Sequence, residues 1–206
     1  MSQFLRLPIL PNLIRCFLYS QIHGPIDGPL SDVPINQCPS YDGKVYVYLL
    51  AIATFFVPSD ESGVGGMHRE RIWCTPSWRG GAAHTDCVFM KHDPDLPGFC
   101  GLLTARVHLL FSLKHNGVLY PCALVRWYST VDNDPDEDTG MWIVEPDEGD
   151  AGMDVVHFNS VLRGAHLIGV AGERPVPRLH FTHSLNAFNS FYINKYADHH
   201  AHEIAF

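Results

Sequence analysis

The C-terminal run Asp198-His199-His200-Ala201-His202-Glu203 holds a dense set of groups able to do chemistry. On a helix, His199 and His202 share one face, with Asp198 and Glu203 close by. Imidazoles and carboxylates in that arrangement suit a first-row divalent metal, so these four residues are the candidate metal ligands. The order is not His-Glu-x-x-His, and the metalloprotease pattern is therefore missing. A polar C-terminal helix is the plainer reading, and a chain end is mobile unless it docks.

Other chemistry-bearing segments are weaker. Asp132 to Gly140 (DNDPDEDTG) has the acidity of a calcium loop. A loop of the EF-hand type needs Gly at its sixth position and Glu at its twelfth, where this chain has Glu137 and Ile143. It reads as a solvated acidic loop. Gly63-Val64-Gly65-Gly66 lacks the lysine and hydroxyl of a phosphate loop and reads as a turn. His68, Arg69, Arg71 and Arg79 lie close in sequence and offer a local basic patch. The six cysteines, at 16, 38, 74, 87, 100 and 122, contain no Cys-x-x-Cys pair. Most have apolar neighbours, as reduced core thiols do. There is no Gly-x-Ser-x-Gly elbow. Trp73, Trp78, Trp127, Tyr128 and Trp142 could instead line an aromatic cage or peptide groove. The candidate binding residues are Arg126, Trp127, Tyr128 and Trp142, with Arg106 stacked on Trp127.

A β-hairpin has to position those residues. Residues 105–128 alternate apolar and polar about Asn116-Gly117, a two-residue turn signal. That turn predicts His115 opposite Val118, Leu113 opposite Tyr120, Phe111 opposite Cys122, Leu109 opposite Leu124 and Val107 opposite Arg126. The buried face is then Val107, Leu109, Phe111, Leu113, Tyr120, Cys122 and Leu124. The other face pairs Arg106 with Trp127 and His108 with Val125. Pro121 marks a free edge or a bulge. Upstream, Leu10, Leu13, Ile14, Phe17, Leu18 and Ile22 predict an amphipathic helix over 12–22. Residues 24–43 read as an irregular linker. Further strands are expected within 44–57, 87–90, 141–144, 155–158, 166–170 and 191–196. A helical turn is expected at 159–163, a loop at Pro175 and Pro177, and a short helix at 184–189.

The chain has 206 residues, of which 46% are hydrophobic and 17% charged, enough for a full core. Gly 17, Pro 15 and 12% aromatics favour many short strands. A net charge of -8 disfavours sequence-independent nucleic-acid binding. No apolar run is long enough to span a membrane as a helix. The expected fold class is mainly β (α+β): a partly open β-barrel with a few short helices. Residues 1–43 would form the N-terminal helix and linker, and 44–206 the barrel-like core with its His-rich tail.

Five segments together carry a family resemblance: DESGVGGM at 60–67, ALVRWY at 123–128, PDEDTGMW at 135–142, RGAHLI at 163–168 and FYINKYADHH at 191–200. As a set they resemble the C-terminal region of Plavaka and Kyakuja-Dileera-Zisupton type transposon-associated proteins of mushroom-forming fungi. In such proteins the metal-dependent acidic triad and the zinc modules lie upstream, and neither has a counterpart in these residues. The resemblance implies a C-terminal module. The order strand, Asn-Gly turn, strand, Arg-Trp-Tyr, acidic loop and strand also resembles bromo-adjacent homology domains, which are β-barrel interaction modules.

The expected function is a non-catalytic protein-interaction module of a transposon-derived protein, needing no cofactor. Its partner would be a protein, either chromatin or a transposase, and its location intracellular, with the nucleus as one option. The alternative is a metal-dependent hydrolase or nuclease that uses Asp198, His199, His202 and Glu203 with a divalent metal.

Overall fold

Asn116 and Gly117 set the register of the central sheet. Both take positive φ, 50° and 83°, as a two-residue turn that matches strand twist requires. In the computed structural model the described residues are 7–24, 33–58, 60, 62–172, 180 and 184–206. Residues 25–32 of the expected linker and the expected loop at Pro175 and Pro177 lie outside them.

The elements in chain order are α1 (Leu10–His23), β1 (Val45–Tyr48), β2 (Leu50–Phe56), β3 (Met67–Thr75), β4 (His84–Thr85), β5 (Cys87–Lys91), β6 (Leu102–His115), β7 (Val118–Thr130), β8 (Ile143–Pro146), β9 (Met153–His157), β10 (Val161–Ala165), β11 (Leu167–Gly169), α2 (Ser184–Ala187), β12 (Phe191–Ile193) and α3 (His199–Ala205). Strand order in the main sheet is β10-β5-β6-β7-β8-β12-β11, all antiparallel. β10 and β11 follow each other directly, separated by His166, so the sheet curls back on itself into a nearly closed barrel. The Asn194 amide donates to the His166 carbonyl at that seam.

Alternation along the strands then sorts side chains into three cores. Phe89, Tyr128, Val144, Phe191 and Ile193 fill the barrel with Phe99 and Ala205. The β2–β3 hairpin covers one outer face, placing Ala53, Phe55, Val57, Ile72 and Cys74 on Val88, Ala105, Val107, Leu110, Ala123 and Val125. α1 covers a second region, where Leu10, Ile14, Phe17 and Leu18 meet Leu109, Phe111, Leu113, Cys122 and Leu124. Each of the buried Val, Leu, Ile and Phe side chains among these is worth about 1.5–3 kcal/mol relative to exposure.

The hairpin register matches expectation from the turn as far as Leu109 opposite Leu124. There a bulge inserts His108, so Val107 faces Val125 and Arg106 faces Arg126. Val107 accordingly joins the core beneath β2–β3 instead of the face shared by Leu109 and Phe111. The hairpin is buried on both faces, not on one, because β2–β3 and α1 each take a side. Pro121 sits one residue beyond the β7–β9 pairing, which begins at Cys122, as a residue without an amide hydrogen requires. Residues 67–75, outside every expected strand, form β3. The helical turn expected at 159–163 is a single 3-10 turn at Phe158–Ser160 leading into β10. Among the described residues no helix is long and apolar enough to cross a membrane.

Candidate functional site

The hairpin residues do not assemble into a cage. Trp127 and Tyr128 are consecutive on a strand and project to opposite faces. Tyr128 is buried in the barrel, with its ring 5.9 Å from Phe191 in an edge contact. Trp127 packs under the β2–β3 layer, beside the Asp154 carboxyl. Burial raises the Asp154 carboxyl to about 6. Trp142 rests against Phe99, 5.5 Å between rings. Trp127, Tyr128 and Trp142 do all border one cavity of about 490 Å3, beside Phe99 and Asp132. Arg126 donates to the carbonyls of Asp147 and Gly149.

Arg106 does not stack on Trp127. The His108 bulge moves it opposite Arg126, and it turns toward β4 and α2 instead. It donates to Thr85 Oγ1 at 3.0 Å, Asn186 Oδ1 at 2.6 Å and the Leu185 carbonyl at 3.3 Å. His108 itself is half-buried, its Nε2 has no hydrogen-bond partner, and burial lowers its pKa to about 4.

The C-terminal run docks through charge and ring contacts. Arg163 of β10, only 5% exposed, donates to both Asp198 oxygens, at 2.8 and 2.5 Å. Asp198 also caps α3 by accepting from the Ala201 amide. The Arg163 hydrogen bonds hold the Asp198 carboxyl down at about 2. Glu70 of β3 lies 3.6 Å from Arg163 Nε and accepts from the Gly164 amide. The Arg163 guanidinium sits 5.0 Å from the Phe55 ring centre, and His200 stacks on the same ring at 4.9 Å. His199, His202 and Glu203 lie exposed on α3. Among the described residues no three His, Cys, Asp or Glu side chains are placed to hold a metal ion. Arg163 and Glu70 were not singled out from sequence, since they meet only where β10 and β3 come together in the fold.

The expected basic patch is divided by strand alternation. Arg69 and Arg71 point outward from β3, opposite Thr54 and Ile52. His68 lies 3.5 Å from Asp60 and stacks against Phe55. The glycines at 65 and 66, with φ of 61° and 75°, close the β2–β3 hairpin.

Two further features were not read from sequence. The first is a cavity of about 760 Å3 bordered by Trp78, Arg79, His84, Asp86, Arg106 and Leu185 among others. His84 Nε2 meets Asp86 Oδ1 at 2.8 Å, and Asp86 Oδ2 accepts from the Trp73 amide. The second is β1. It pairs with β6 on one side, through Val45–Leu113 to Tyr48–Leu110, and no described strand pairs with its other side. Tyr46, Val47, Tyr48 and Leu49 are 55%, 41%, 48% and 51% exposed. In register, Tyr46 and Tyr48 share a face with Leu119 and Pro121 of β7. No family model matches the chain, and no curated protein or solved structure matches it.

Proposed function

We propose that this chain is a non-catalytic interaction module that holds a protein partner by strand addition along β1. The observation that carries the reading is the open β1 edge with its four consecutive exposed apolar residues. Protein folds blunt such edges with charge, proline or a covering element, because unpaired amides and carbonyls template another strand. A guest strand here gains main-chain hydrogen bonds from β1. Its alternate side chains meet the apolar face made by Tyr46, Tyr48, Leu119 and Pro121.

The resemblance to transposon-associated proteins supports a partner from that setting, a transposase or chromatin, and a nuclear location with it. The bromo-adjacent homology pattern supports the same class of role. The test is selection of binders from a random peptide display library, followed by NMR mapping. Selected peptides should alternate apolar and polar residues, shift the amides of β1 and β6, and lose binding to the double variant Tyr46→Lys/Val47→Lys. Peptides that map to another surface, or that bind the double variant equally well, reject the reading.

A further inference from the structure

We infer that the cavity beside Trp78 binds a small organic oxyanion, held by Arg106. This site is separate from the β1 edge, and the two can fail independently.

Charge is the first argument. The chain carries -8 overall, yet among the described residues this cavity is bordered by Arg79 and Arg106 against one carboxylate, that of Asp86. Asp86 is already engaged, with one oxygen on His84 and the other on the Trp73 amide. Among the described residues no carboxylate lies within ion-pair distance of Arg106. Its three partners among the described residues, Thr85, Asn186 and the Leu185 carbonyl, are all neutral. They fix the guanidinium in place without neutralising it. A half-buried, immobilised and uncompensated guanidinium gains from a carboxylate or phosphate, whose oxygens match its donor fork.

Size and lining give the second argument. A cavity of about 760 Å3 is far larger than a bare inorganic ion needs and lies in the range of small-molecule sites. Trp78 and Leu185 supply apolar wall, and Trp78 is held by an edge contact with Trp73 at 4.4 Å. His84 sits 5.2 Å from the Trp78 ring and is oriented by Asp86. The occupant therefore has a charged oxyanion end and an apolar body.

The test uses the full chain and calorimetric titration with phenyl phosphate, benzoate and inorganic phosphate. At least one of the two aromatic anions should bind saturably, and more tightly than inorganic phosphate. Phenyl phosphate outranking benzoate assigns a phosphate monoester, and the reverse assigns a carboxylate. Arg106→Gln should weaken binding about tenfold or more, the loss of a charged hydrogen bond. Arg79→Gln, at an exposed position, should weaken it about threefold. Arg79→Gln serves as the second variant if Arg106→Gln does not fold. Flat titrations for both aromatic anions at millimolar concentration, with an unaltered melting transition, overturn the proposal. So does an affinity unchanged in both variants.

Discussion

The C-terminal helix α3 and the edge strand β1 are both short peripheral elements, and they are held in opposite ways. α3 is rich in ionisable residues, and Arg163, Asp198, Glu70 and His200 tie it to the barrel wall. β1 is almost wholly apolar, and its Tyr46, Val47 and Tyr48 each keep roughly half of their surface in water. Polar sequence here builds a closed contact, and apolar sequence builds an open one. The difference follows from what each element has left to satisfy. Asp198 spends both oxygens on Arg163 and one of them again on its own helix. β1 keeps one row of backbone donors and acceptors without a neighbouring strand among the described residues.

That contrast breaks most readily at α3. Asp198→Asn removes the nearer carboxylate charge from the buried Arg163 guanidinium, leaves Glu70 at 3.6 Å as its charged partner, and should cost about 3 kcal/mol. For a chain of this size that is roughly a 10 °C fall in Tm, readable by calorimetry. Acid should act in the same direction. The Asp198 pKa is held at about 2, below its unfolded value. Its contribution is complete above the ordinary carboxylate range and is lost as pH falls toward 2. Amide exchange in α3, followed down that titration, should accelerate before exchange in β6 does.

At the open edge the expected stability change is small and the functional change large. Tyr46→Lys/Val47→Lys should alter unfolding free energy by no more than about 0.5 kcal/mol, since neither side chain is buried. Peptide binding should nevertheless disappear. The smallest effect is expected from His199→Ala/His202→Ala, which removes two exposed imidazoles. Tm should stay within a degree or so of the parent chain, given that surface changes are worth about 0.5 kcal/mol at most. Zinc, manganese and EDTA should leave both proteins unmoved. A metal-dependent rise abolished by that double variant would restore a chemical role to α3.

The barrel was legible because its signals are local. Asn116-Gly117 determined a turn, the turn determined the pairing down to Leu109, and alternation marked the core. The His108 bulge has no local sequence signature, and it redirected Arg106 from Trp127 to the cavity beside Trp78. β3 was illegible because His68, Arg69, Glu70 and Arg71 read as polar coil. Alternation between water and the Glu70–Arg163 contact explains that composition. The tail drew attention by composition alone, while Arg163, which decides how Asp198 is used, lies 35 residues away in sequence.

Hydrogen exchange along β1, measured with and without a library-selected peptide, tests the central claim most directly. The account predicts that alternate amides of β1 exchange rapidly in the free chain while the facing β6 amides are protected. With peptide bound, those β1 amides become slow and the α3 amides do not change. Full protection of β1 in the free chain, or peptide-induced protection confined to other elements, would contradict it.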